Sequence, residues 1–229
     1  MILALVDLEK NIKNVMARNI KKEKNIYQQI ANFVYETGIH SQTPRSGFWF
    51  LGSGKQSVAE HLFHTAMTAY ALAHLEPKAD KNKVVLMALV HDIGEGRTSD
   101  HNYVHQRYGR LSEVNAVADI ARSVPFGKEI QDLFTEEQER KSIEAQIVKD
   151  ADQLEWIATL RVEEAKGNIK AKRWIAISYK RLKTKQAKKL GSFLIRTNPD
   201  SWWIDVNTEW FVNRDNKFKN WNNKKKINE

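Results

Sequence analysis

Apolar residues return at helical spacing along most of this chain, and strict alternation of apolar and polar residues is scarce. Residues 3–35 set Leu5, Leu8, Ile12 and Val15, then Ile26, Ile30, Phe33 and Val34, on recurring faces, which predicts helices over 1–36. Residues 36–56 contain Gly38, Pro44, Gly47, Gly52 and Gly54 and read as a loop. Ser57, with Glu60 three residues on, forms a capping-box signature for a helix that runs to about Leu75 and stops before Pro77. Residues 83–91 are almost wholly apolar and fit a buried strand or a buried helix. Met87, Ala88 and Leu89 favour the helix, and the lack of other strands makes it a central one, broken by Gly94 and Gly96. Residues 111–123 read as helical, with a break at Pro125–Gly127. From Ser142 to about Lys166 a long amphipathic helix puts Ile143, Ile147, Ala151, Leu154 and Ile157 on one side. Ala171–Arg196 reads as one more helix, and residues 213–229 are polar and read as loose. The expected fold class is all-α: a single domain over 1–229, with N-terminal helices (1–36), a core over about 40–165 and a basic helical extension (166–229).

Composition narrows the function. A chain of 229 residues is long enough to bury a real core. It contains no cysteine, which excludes disulfides, cysteine zinc sites and thiol nucleophiles and fits a reducing compartment. The apolar run Met1–Val6 ends at Asp7, far short of a secretory signal or of the roughly 20 residues a membrane span needs, so a cytoplasmic, membrane-free protein is expected. The net charge of +9 is unevenly placed. Residues 166–229 hold 17 Lys/Arg against 5 Asp/Glu (+12), and residues 1–165 hold 20 against 23 (−3). A solvated lysine-rich surface is the first reading of that segment, and binding of nucleic acid or another polyanion is its rival. Trp202 and Trp203 are expected to pack the C-terminal segment onto the core.

Three places carry candidate chemistry. His61 lies one turn into its helix and alone reads as an ordinary helical histidine. His91 and Asp92 end the most apolar helix, where an imidazole and a carboxylate are costly to bury unless something pairs with them. Asp152 falls among apolar neighbours between Val148 and Trp156 and also needs a partner, either a metal or a cation such as Lys149. Asp150 points elsewhere on that helix and reads as solvated. Two imidazoles and two carboxylates form a mixed nitrogen and oxygen donor set. Such a set suits one divalent transition metal (Mn, Co, Fe, Ni or Zn) better than calcium.

At this point a family is visible. Pro44-Arg45-Ser46-Gly47-Phe48-Trp49, Gln56 to His61, His91-Asp92-Ile93-Gly94-Glu95, Thr98-Ser99-Asp100 and Val148 to Glu155 follow one another in order. This succession resembles the HD-domain phosphohydrolases, in the branch that contains the 5′-deoxynucleotidases. The resemblance implies a helical HD bundle in which His61, His91, Asp92 and Asp152 ligate one metal. It implies that Glu95 and Asp100 handle the attacking water and the leaving oxygen, that Arg45 reaches the substrate and that Trp49 lines the sugar pocket. The implied substrate is a small phosphate ester, a (deoxy)nucleoside 5′-monophosphate first, and the implied assembly is a homodimer. A triphosphate or other phosphoester substrate is one rival reading. A nucleic-acid-binding protein that keeps the HD scaffold is another. Two departures stand out. Ser99 replaces a glycine common in the family, and His101 to Arg107 replaces a lysine-containing loop. Arg97, His101, His105 and Arg107 are the candidate substitutes for that lysine.

Overall fold

Serine, aspartate and asparagine side chains fix where the helices of this chain begin. The computed structural model describes Met16, residues 22–109 and residues 111–204. Residues 22–38 are helical (α1) and pass into a short 3-10 turn, Ile39–Ser41. After α2 (Gly47–Leu51) comes α3 (Val58–Ala73), which starts at the expected capping box. There the Ser57 hydroxyl accepts from the Glu60 N–H at 3.2 Å, and the Glu60 carboxylate accepts from the Ser57 N–H at 2.6 Å. Asp80 caps α4 (Lys81–Val90) by accepting from the N–H groups of Asn82 and Lys83. Short helices α5 (Glu95–Thr98) and α6 (Tyr103–Tyr108) follow, then α7 (Glu113–Ser123) and α8 (Gly127–Glu139). Ser142 caps the longest described helix, α9 (Ile143–Ala165), which leads to α10 (Ile169–Arg181) and α11 (Lys185–Arg196).

α9 is the central element. It packs against α3, α4, α10 and α11, and its Leu154, Ile157 and Leu160 have no exposed surface. Burying each such side chain stabilises the fold by about 1.5–3 kcal/mol. A second apolar cluster joins Ile93, Val117, Ile120, Ile130 and Phe134, and so anchors α7 and α8 on the turn after α4. Glycine gives that turn its close fit to α7: a Cβ on Gly94 would lie 2.6 Å from Glu113 Cγ and 3.2 Å from Val117 Cγ2, so both side chains would have to shift. No strand occurs among the described residues, and an isolated antiparallel bridge, Pro44 with Ser57, closes the 44–57 loop. None of the described helices is long and apolar enough to cross a membrane.

Several expectations need correction. The 36–56 segment is not all loop, because α1 extends to residue 38 and α2 forms after Ser46. The 83–91 helix is buried on one side only: Val84, Met87 and Ala88 have no exposed surface, whereas Leu86 and Leu89 are exposed. α8 was hidden by its acidic residues, yet it buries Ile130, Leu133, Phe134 and Glu137 at helical spacing. Residues 171–196 form two helices, because Leu182 to Thr184 break the run and Thr184 caps the second. Asp150 is buried rather than solvated, and its carboxylate accepts from the N–H groups of Lys183 (2.7 Å) and Thr184 (2.8 Å), which holds α11 against α9. Trp202 is 85% exposed, so it does not pack onto the core, and Trp203 is half exposed. Expectations for residues 3–15 and 213–229 fall outside the described residues.

Candidate metal centre

α3, the end of α4 and the middle of α9 bring the four expected ligands to one place. His61 and His91 are buried, with ring centroids 5.5 Å apart. Asp92 Oδ2 lies 3.2 Å from His91 Nε2 and 3.5 Å from His61 Nε2. These three residues offer donor atoms that all lie within 4.8 Å of one another. Asp152 sits slightly apart. Its Oδ1 is 3.5 Å from His61 Nε2, while its Oδ2 takes an ion pair from Lys149 at 2.9 Å. The geometry thus forms a tight group of three, with a fourth carboxylate adjoining it.

The hydrogen bonds around the imidazoles determine what they offer. His61 Nδ1 lies 2.9 Å from Glu155 Oε2, and His91 Nδ1 lies 2.8 Å from the Ala88 carbonyl. Both acceptors require an N–H, so each neutral ring is left with its lone pair on Nε2. Both Nε2 atoms are buried without a hydrogen-bond partner. Buried polar atoms seldom lack partners, and two lone pairs converging beside a carboxylate fit a divalent cation.

Electrostatics points the same way. Asp92, Asp152, Glu95, Asp100, Glu113 and Glu137 surround the group, with Arg45 and Lys149 as permanent cations. Burial pushes Glu95 up to about 10, helped by Asp92 and Asp100, and its Oε2 is buried and unpartnered. Burial, with Asp92 next, also pushes Glu113 up to about 7. For His91, burial opposes the charge, but Asp92, Asp152 and the Ala88 carbonyl together outweigh it and raise the imidazole to about 9. Protonating these groups is how a crowd of carboxyls relieves its repulsion without a metal. A bound cation would relieve it directly.

Arg45 comes from the 44–57 loop, which is fixed by the Arg45 N–H donating to the Gln56 carbonyl at 2.9 Å. Its guanidinium reaches Asp92 Oδ2 at 3.4 Å and Asp100 Oδ2 at 3.3 Å. Burial opposes its charge, yet Asp100, Asp92 and Glu95 hold it protonated. Asp100 also accepts from the Ser46 N–H at 3.0 Å. Trp49 is not brought into the cluster. It is 62% exposed and packs edge-on against His105 of α6 at 5.6 Å, on the rim. Arg97 turns away to pair with Glu36. His64 is largely exposed, with its Nδ1 3.8 Å from Glu155 Oε1.

Sequence reasoning missed Glu155. Besides its bond with His61, Glu155 accepts from Gln56 Nε2 at 2.6 Å and from the Thr159 hydroxyl at 2.9 Å. Its signal was its place one turn after Asp152, on the buried side of α9. Lys149 was visible only as a possible partner of Asp152.

Comparison with known proteins adds to this geometry. The family model for the HD domain matches residues 40–193. A 5′-deoxynucleotidase of Dictyostelium discoideum is 35% identical over 113 residues, which cover 44% of this chain and 60% of that one. A 5′-deoxynucleotidase of Schizosaccharomyces pombe is 30% identical over 136 residues, which cover 55% of this chain and 68% of that one. The chain thus spans 60% and 68% of the length of these two relatives. Among solved structures, a Pyrococcus horikoshii protein superposes with a TM-score of 0.60 at 27% identity, covering 71% of this chain and 96% of that one. A conserved hypothetical protein of Pyrococcus furiosus shares the fold, with a TM-score of 0.63 at 23% identity over 73% of this chain and 99% of that one.

Proposed function

Since this chain belongs to the HD domain family, we propose that it is a metal-dependent phosphohydrolase that releases phosphate from nucleoside 5′-monophosphates, deoxynucleotides foremost. The observation that carries this reading is the pair of buried, partnerless Nε2 atoms of His61 and His91 beside Asp92. The names of the two 5′-deoxynucleotidase relatives support the substrate class.

A divalent cation held by His61, His91, Asp92 and Asp152 would polarise a phosphoryl oxygen and acidify a bound water. The remaining work falls to the chain's own side chains. Arg45 offers a planar fork for two phosphate oxygens and neutralises charge that develops as the P–O bond breaks. Asp100 and the Ser46 N–H keep that fork in place. Glu95, buried beside Asp92 and Asp100 with its Oε2 unpartnered, is assigned to protonating the departing sugar oxygen. Asp100 is the second carboxyl beside the reacting groups and assists in orienting the attacking water. Trp49, on the rim with His105, is assigned to the sugar.

Pairing of two copies belongs to the same reading. The exposed side chains of Phe63 and Met67 on α3 and of Leu86 and Leu89 on α4 form an apolar face suited to it. Sedimentation of the wild type against Leu86→Glu tests that pairing. A panel of ribo- and deoxynucleoside mono- and triphosphates, assayed for inorganic phosphate with several divalent metals, tests the activity. Release from deoxynucleoside monophosphates is expected. Turnover of triphosphates alone would refute the substrate assignment.

A further inference from the structure

The charge of this chain is divided sharply along its length, and the metal centre does not account for that division. Residues 166–204 contain 11 Lys/Arg and one acidic residue, Asp200. All eleven cations are exposed, and Lys166, paired with Glu163, is the one of them that makes an ion pair among the described residues. Eight of the other ten are arranged in two rows, while Lys172 lies on another side of α10 and Lys183 lies between the two helices. On α11, Lys185, Lys188, Lys189 and Arg196 share one face by their helical spacing. On α10, Lys170, Arg173, Lys180 and Arg181 share another. Two adjacent helices carrying this many unpaired cations repel themselves, and a bound polyanion relieves that repulsion.

Aromatic rings accompany the charges. Arg196 stacks over the exposed Phe193 ring at 5.0 Å, and Arg181 stacks over the exposed Tyr103 ring at 4.9 Å. Trp202, just past α11, is the most exposed tryptophan described. Flat exposed rings set among unpaired cations match a single strand, whose bases stack while its phosphates meet the charges. A uniform anionic surface would need the cations but not the rings. The location matters too. α10 begins beside the end of α2, where Asn168 Nδ2 donates to the Leu51 carbonyl at 3.0 Å, and it ends where Arg181 meets Tyr103 of α6. The basic helix therefore runs past the two short helices at the rim of the metal centre.

We propose that the outer faces of α10 and α11, with Trp202, form a binding surface for single-stranded nucleic acid. This surface is separate from the metal ligands and does not depend on the reaction assigned to them. The test is fluorescence anisotropy of a labelled oligo-deoxythymidine with the full chain, titrated at several salt concentrations. Affinity should fall linearly with salt on a log–log plot, by about 0.7 in slope per phosphate neutralised. The combined K185Q, K188Q, K189Q and R196Q variant should weaken binding by about tenfold or more at low salt and flatten the slope by about 0.7 per cation removed. Trp202→Ala should weaken binding by about tenfold with the slope unchanged. Nucleotide hydrolysis by the fourfold variant should match the wild type, which also shows that it is folded. No binding at low salt, or binding undiminished in the fourfold variant, would overturn the proposal. Capture by anionic lipid vesicles without capture of the oligonucleotide would also overturn it.

Discussion

Replacing Glu155 by Gln separates the charge behind the metal centre from its shape. The Glu155 carboxylate is buried and accepts three hydrogen bonds, from His61 Nδ1, Gln56 Nε2 and the Thr159 hydroxyl. An amide keeps one oxygen for His61 and turns an NH2 toward the other two. Both neighbours can adapt. Gln56 Oε1 is buried without a partner, so reversing that amide presents an acceptor, and the Thr159 hydroxyl can rotate to accept. Fold and ring orientation should therefore survive, while the negative charge that makes His61 a stronger electron donor is lost. Changes of this kind behind a metal-bound imidazole weaken metal affinity by about 10–100-fold, or about 1.4–2.7 kcal/mol. The assay is titration of the chelator-treated protein with Co(II), followed by its visible absorption and checked by circular dichroism. Turnover at saturating metal should stay close to the wild type. Unchanged Co(II) affinity in a folded Glu155→Gln protein would refute the assigned role of Glu155.

Four further outcomes follow from the same geometry. Glu95→Ala should leave metal content unchanged and lower turnover by about 10²–10⁴-fold, whereas loss of metal by elemental analysis would make Glu95 a ligand. Arg45→Lys keeps the charge but not the fork, so catalytic efficiency on the best nucleotide should drop with metal binding intact; wild-type efficiency would mean the phosphate is held elsewhere. Ser99 sits at φ 63°, ψ 161°, a conformation that favours glycine. Strain of about 1–3 kcal/mol there, less about 0.5–1 for glycine's extra chain entropy, predicts that Ser99→Gly raises stability by about 1 kcal/mol, read as a higher melting temperature. Glu113, raised to about 7, binds its proton more tightly folded than unfolded, so its contribution to stability is full below about pH 4.5 and is lost as pH rises through 7. Glu113→Gln should accordingly raise the melting temperature of the metal-free protein at pH 8 and not at pH 5.

The parts of this molecule that were legible in its sequence are those where a local rule acts. Ser57 with Glu60, and the apolar spacing of Ile147, Ala151, Leu154 and Ile157, each encode a helix without outside help. The four candidate ligand positions were legible because an imidazole or carboxylate in an apolar run needs a partner, and because their order resembles a known family. What escaped depends on contacts across the fold. α8 was masked by its acidic surface residues, although its buried face is regular. Asp150 looked solvated because nothing local shows that the start of α11 returns to meet it. Glu155 carries no local sign of its role, since its partner His61 lies 94 residues away. Trp202 shows the opposite error: a large apolar residue is not obliged to be buried.

One cation, held by His61, His91, Asp92 and Asp152, is proposed to make this chain a phosphohydrolase. The most direct measurement is phosphate release from deoxynucleoside 5′-monophosphates by chelator-treated protein as Mn, Co or Zn is added back, with bound metal counted in the same samples. Release should be negligible without metal, should rise until it saturates at one ion per chain, and should be lost together with metal binding in His61→Ala. Full release from metal-free protein, or undiminished release from His61→Ala, would contradict that assignment.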